Sequence, residues 1–353
     1  MRGAGSSGHS TSNCKFQHKI VCNRPRIGGK GSSMGKPFRL VSRIAAFALL
    51  GVMASASADA QQAQGTTNIR VVTPPITNYV SLLVARDKGF FAEEKLNVTW
   101  SFVTQSAVAV EAVYGGSVEF GGGGILEPMI ARGNGLDLML AVPVAKAAVT
   151  PPDNSALVVR ADSNIKSAAD LVGKKVSVGL LNGINHVHML EWLKRRNVDA
   201  KKIEFLEIPF PQMPDALLQN RLDMVWAVEP FLTLLQKSGK VRVIGTPYSD
   251  NIPGMDLTAF FARESWLKAN KDVALRFRKA ILRATEYVRA ASKQERDDWV
   301  AKYTGMKPEL VAEVTLPNFA VEFDRASLKA NLDIAVEQKL SKSFDVNTVI
   351  WNP

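Results

Sequence analysis

The chain has 353 residues, 44 Lys plus Arg against 33 Asp plus Glu, a formal net charge of +11, and two cysteines. Nine of the basic residues and only one acid, Asp59, lie in residues 1–60, so the remaining 293 residues carry 35 basic and 32 acidic side chains, a net of +3. That near balance removes the main support for nucleic-acid binding. Cys14 and Cys22 both fall in the leader, which excludes disulfides, thiolate metal sites and a cysteine nucleophile from the rest.

Residues 1–33 read as an upstream extension, with translation starting at Met34. Residues 34–60 read as a cleavable export signal. Lys36, Arg39 and Arg43 form its positive region, Ile44 to Met53 its apolar stretch, and Ala58-Asp59-Ala60 a small-residue cleavage site. The apolar stretch is short of the roughly 20 residues that span a bilayer. No Cys follows the cleavage site, so the exported product is expected in the periplasm without a lipid anchor.

In the mature region, Asn68 to Thr73 reads as the first strand, ended by Pro74-Pro75, and Thr77 or Asn78 caps a helix from Tyr79 to Lys88. Val98 to Phe102, Asp137 to Val144 and Ser155 to Arg160 follow as strands. Asn164 to Leu171 open a new unit, with strands around Lys175 to Val178, Ile203 to Ile208, Met224 to Val228 and Val241 to Gly245. Leu257 to Ala262 resembles Ser155 to Arg160 in length and apolarity, and these two strands are read as the passages into and out of an inserted second lobe. From Arg263 the chain is mostly helical, with an apolar stripe at Val273, Phe277, Ile281 and Val288 and a last helix from Arg325 to Leu340. The expected division is lobe 1 at 66–160 and 258–353, and lobe 2 at 161–257.

One phrase is written twice. Met213 to Phe231 runs helix end, Asn220, buried strand, Glu229-Pro230. Glu111 to Met129 runs helix end, Gly115-Gly116, a strand around Val118 to Phe120, Glu127-Pro128. The copies align at an offset of 104 before the strand and 102 at the Glu-Pro pair, and the two extra residues of the first are assigned to its glycines. Two copies predict two similar α/β lobes. In open α/β sheets ligands bind beyond the carboxyl ends of the strands, so the gap between lobes is the expected site.

The segments Asp87 to Val98 (DKGFFAEEKLNV), Ala169 to Val176 (ADLVGKKV), Ala216 to Asp223 and Glu229-Pro230 resemble the nitrate/sulfonate/taurine (NitT/TauT, SsuA-like) family of ABC-transporter solute-binding proteins, from about Ile69 to Leu340. The resemblance implies an α/β, two-lobed periplasmic binding protein of type 2, with a ligand cleft between lobes and two hinge crossings. It implies a monomer that closes on a small-molecule ligand and delivers it to a membrane permease, with no cofactor. An enzyme that makes the thiamine pyrimidine shares this fold but uses an iron site and a cysteine-rich segment, which this chain's mature part lacks.

The residues themselves offer the following chemistry. Helix N-termini present unpaired N–H groups and a positive dipole end. Three such starts are expected at the cleft: Asn78-Tyr79, the Gly121 to Ile125 loop with Gly122, Gly123 and Gly124, and Gly183-Ile184-Asn185. His186 and His188, at i and i+2, diverge on a helix and predict no metal site. His186 lies near enough the helix start to bond a ligand, and packing is the competing role. Trp226 and Tyr79 each read either as core or as an aromatic wall for a flat ligand. Glu229 is either a turn acid satisfied by the helix dipole or a cleft acid that accepts amino donors and repels a bare anion. Asp256, at the return crossing, either reaches the cleft or braces the hinge.

These features favour a periplasmic receptor for a small polar organic solute: a sulfonate, a taurine-like zwitterion or an aminopyrimidine-type heterocycle. A cofactor-precursor enzyme of the thiamine-pyrimidine type is the alternative, and no nucleophile or acid–base pair of convincing spacing supports it. A sensor module would require a membrane segment after Ala60, and the sequence has none.

Overall fold

The computed structural model describes residues 65–353; the upstream extension and export signal expected at 1–33 and 34–60 lie outside the described residues. Two sheets organise the chain. The first has six strands in the order β11-β4-β10-β3-β1-β2 and the second five in the order β7-β6-β8-β5-β9. In chain order the strands are β1 Thr67–Thr73, β2 Leu96–Phe102, β3 Phe120–Gly124, β4 Met139–Lys146, β5 Ser155–Arg160, β6 Lys175–Ser177, β7 Glu204–Leu206, β8 Met224–Val228, β9 Val241–Gly245, β10 Asp256–Ala262 and β11 Asn318–Phe319. The longer helices are α1 Val80–Asp87, α2 Ser106–Tyr114, α3 Leu126–Gly133, α4 Ile184–Lys194, α5 Phe231–Lys237, α6 Lys271–Ala290, α7 Lys293–Thr304 and α8 Arg325–Glu337.

The doubled phrase is a doubled topology. Strands β2-β1-β3 run parallel in one sheet and β7-β6-β8 run parallel in the other, each followed by an antiparallel strand, β10 beside β3 and β5 beside β8. The two-lobed α/β class read from the sequence is the one observed. β5 shows why its segment reads as a continuous apolar run. Ala156 and Val158 face one hydrophobic cluster while Leu157 and Val159 face another, so the strand is covered on both sides. On α6 the buried stripe is Ala274, Phe277, Ile281, Ala284 and Val288, at the three- and four-residue spacing of one helix face, with Val273 only partly buried at its edge.

Two expectations change. Ser155–Arg160 pairs only with β8 and β9, so it belongs to the second sheet and the chain crosses before it, over residues 147–154, rather than along it or at residue 160. The return crossing likewise precedes β10, through the short helix Pro247–Asn251. The two crossings run side by side, Ala147 N–H donating to Met255 O (2.8 Å) and Gly254 N–H to Ala148 O (3.2 Å). The second change is at the glycines. Gly121 to Gly124, expected as a loop, form β3 itself, fully buried between β1 and β10. Neighbouring side chains press flat against this strand: a Cβ on Gly122 would lie 2.7 Å from the Tyr79 ring, and one on Gly121 2.6 Å from the Phe261 ring.

Candidate functional site

The strand ends of the two repeats differ in a way that decides the site. β3 ends at Gly124 and β8 at Val228, while the acids stand at Glu127 and Glu229. The two extra residues of the first copy are therefore Ile125 and Leu126, not the glycines upstream. That insertion moves Glu127 off the strand end and into the first turn of α3.

Glu229 follows its strand directly, and its carboxylate is engaged by Thr233 nearby and by Thr315 across the cleft. Oε2 accepts from Thr233 N–H (3.1 Å), while Oε1 accepts from the Thr233 hydroxyl (2.8 Å) and Thr315 N–H (3.1 Å). It is 1% exposed, burial raises its pKa, and these bonds oppose the rise. Glu229 does not line the cavity described below, so the expectation of a ligand-facing acid fails at this residue. The peptide bond to Pro230 is cis, and Pro230 stands at the N-cap of α5 rather than at its first helical position.

Glu127 is the acid that faces the cleft, and the sequence reading paired it with Glu229 without choosing it. It borders a cavity enclosed by both lobes and both crossings, of about 50 Å³ measured as the space open to the centre of a water-sized sphere. A single water needs roughly 10–15 Å³ on that scale, so the space suits a handful of heavy atoms. The first lobe contributes Asn78, Gln105, Gly124 and Glu127, the second Gly183, Ile184, Asn185 and Phe210, and the crossings Asn154 and Tyr248. Oε1 of Glu127 reaches across to Ile184 N–H at the start of α4, a long bond of 3.4 Å. Burial pushes its pKa up to about 7. Two glycines make room for the carboxylate: a Cβ at Gly124 would lie 2.4 Å from Oε2, and one at Gly183 3.0 Å from Oε1.

A polar chain lines one wall. Asn78 Nδ2 donates to the Thr258 hydroxyl (3.3 Å) and Asn154 Nδ2 to Asn78 Oδ1 (3.1 Å). The Tyr248 hydroxyl donates to Asn185 Oδ1 (2.9 Å). Four buried atoms on or beside this wall have no protein partner: Glu127 Oε2, Asn154 Oδ1, Asn185 Nδ2 and Ser155 Oγ.

Of the residues expected at the cleft, Asn78, Gly124 and Asn185 border the cavity. Gly122 and Gly123 lie farther back in β3, and Tyr79 is core, its hydroxyl donating to Gly123 O (2.8 Å) and its ring edge-on to Phe260. Trp226 is fully buried one layer behind the wall, its ring 4.7 Å from that of Tyr248. His186 leaves the cavity and accepts from Asn182 N–H (3.0 Å), while His188 bonds Asn331 of α8 (2.8 Å). Burial lowers both histidines to about 4. Asp256 takes the bracing position: it accepts from Asp324 N–H (2.9 Å) ahead of α8, and burial raises it to about 6. Glu127, Gln105, Asn154, Phe210 and Tyr248 were missed. Glu127-Pro128 carried a legible signal as the twin of Glu229-Pro230. Tyr248 and Asn154 sit in the crossings, whose course no periodicity reports.

The fold is that of solved periplasmic binding proteins. The alkanesulfonate-binding protein SsuA from Xanthomonas axonopodis pv. citri, bound to MOPS, superposes with a TM-score of 0.66 at 19% identity, covering 81% of this chain and 98% of that one. In sequence, YtlA of Bacillus subtilis is 26% identical over 69% of this chain and 72% of its own length. The formylaminopyrimidine-binding protein of Halalkalibacterium halodurans is 21% identical over 72% of this chain and 75% of its own. The model of the family described as "NMT1/THI5 like" matches residues 76–295, and the chain belongs to that family.

Proposed function

We propose that the protein is the solute-capturing receptor of an ABC importer, exported to the periplasm, working as a monomer and closing its two lobes on a small polar organic molecule. The observation that carries this is the enclosed cavity between lobes, bordered by residues of both sheets and holding unpartnered buried polar atoms. These atoms have no protein partner, so a bound solute can hydrogen-bond to them without displacing any bond within the protein. Bonds across the cleft supply the closing contacts: Gln105 Nε2 donates to Gly179 O (3.1 Å), Thr315 N–H to Glu229 Oε1, and Lys237 pairs with Glu313. The kinship with a formylaminopyrimidine-binding protein supports the same reading. No helix among the described residues is long and apolar enough to cross a membrane.

The test joins thermal unfolding with small-angle X-ray scattering of the purified protein. A ligand at a hundred times its dissociation constant stabilises by about 2.7 kcal/mol, which raises the midpoint by several degrees, and the same ligand reduces the radius of gyration. Continuous consumption of the compound, with product accumulating beyond one equivalent, replaces the receptor with an enzyme.

A further inference from the structure

We propose that the solute is an amino- or amidine-type molecule, neutral or cationic, which gives N–H donors to Glu127 Oε2 and Asn154 Oδ1 and accepts from Asn185 Nδ2, and that bare anions are excluded. This rests on the receptor reading above. Three observations bear on it.

The first is charge. Among the residues bordering the cavity, Glu127 is the one acid, and there is no Lys, Arg or His. An anion entering this space meets no cation, and its charge opposes the ionised form of Glu127, which burial already disfavours.

The second is that the natural anion seat is taken. The N-terminus of α4, an eleven-residue helix, opens into the cavity at Gly183 and Ile184. Its exposed N–H groups and dipole would ordinarily hold an anionic ligand. Here Glu127 reaches over from the other lobe and places Oε1 on Ile184 N–H, and the absence of a Cβ on Gly183 gives it the space. The protein supplies its own anion at that seat, so a ligand must complement the carboxylate.

The third is the pattern of free valences. The hydrogen-bond chain from Asn154 through Asn78 to Thr258 orients the Asn154 amide with one N–H engaged and its oxygen free. The Tyr248 hydroxyl fixes Asn185 the opposite way, oxygen spent and nitrogen free. Asn154 and Asn185 are 3% and 7% exposed, so these atoms address the cavity rather than bulk solvent. Two acceptors, one amide donor and the Ser155 hydroxyl, which can serve as either, match a ligand with an amino edge and a ring or carbonyl acceptor. Phe210, Ile184 and Leu257 supply apolar walls for its carbon frame.

The experiment titrates the full-length purified protein at neutral pH with four probes: acetamidine as a cation, 4-aminopyrimidine as a neutral donor, nitrate and methanesulfonate. Binding is followed by calorimetry and thermal midpoint, and closure by scattering. The expected result is that one or both nitrogen probes bind and contract the protein while both anions are inert. Glu127→Gln should weaken the bound probe by at least about tenfold, as losing a charged hydrogen-bond partner does. Asn185→Ala, on the other lobe, gives the second reading: a loss confined to probes carrying an acceptor, here 4-aminopyrimidine. Binding and contraction with nitrate or methanesulfonate alone overturns the ligand class and leaves the receptor standing. No response to any of the four also overturns the class, and conversion of a probe to product overturns the receptor reading itself.

Discussion

Glu127 is a carboxylic acid without a cation beside it, and burial alone lifts it from 4.5 to about 7. The titratable groups facing it, Tyr79 and Tyr248, are themselves raised far above their usual range and stay neutral. The folded protein therefore holds this proton to higher pH than the unfolded chain does. Its stabilising effect is complete below about 4.5 and is lost as pH rises through about 7. Asp256 and Glu229 act in the same direction, whereas His186 and His188, held near 4, act oppositely below pH 6.5. Glu127→Gln isolates the one residue. Relative to wild type, the ligand-free variant should gain on the order of 2 kcal/mol in urea unfolding between pH 5 and pH 8. A difference that stays flat with pH would place the carboxylate in contact with solvent. The sequence offered two Glu-Pro turns at the expected cleft and left open whether Glu229 served the turn or a ligand. Telling them apart required knowing where two inserted residues fell, and an apolar pair such as Ile125-Leu126 reads equally well as strand or helix.

At the scale of elements, the corner from β8 to α5 lies outside the cavity lining apart from Val228, and the corner from β3 to α3 borders the cavity through Gly124 and Glu127. Glu229→Ala strips the partners from Thr233, which is buried, and from Thr315, which is half-buried, and their donors then go unpaired. We expect a loss of about 1–3 kcal/mol in unfolding free energy, and a loss of ligand affinity of no more than a few-fold from the closing bond to Thr315. A tenfold loss of affinity at full stability would reverse the roles assigned to the two corners. Most strands and the long helices were legible because their apolar residues repeat at two or at three to four positions, as in β5 and α6. β3 was not. A run of four glycines has no side-chain period, and its strand form comes from pairing with β1 and β10, with Tyr79 and Phe261 close against it.

At the scale of the whole molecule, affinity includes the work of bringing the lobes together. Lys237 on α5 and Glu313 ahead of β11 join the lobes at the rim, both well exposed. Such a pair contributes about 0.2–1 kcal/mol. Lys237→Glu, which replaces attraction by repulsion, should weaken ligand binding roughly two- to fivefold, and the effect should fade in high salt. Equal affinity at low salt would mean that closure does not depend on this rim contact. The two-lobe plan was legible from the duplicated phrase, but the position of the crossings was not, because β5 and β10 are as apolar as any strand inside a lobe.

The paired crossings carry one more consequence. Ala148 and Gly254 are 106 positions apart in sequence yet joined by a single hydrogen bond, so everything between them enters and leaves through one narrow doorway. A genetic exchange with breakpoints at those two residues would replace one complete wall of the binding chamber and leave the other untouched. Such a scaffold can acquire new cargo by swapping half its mould in a single event.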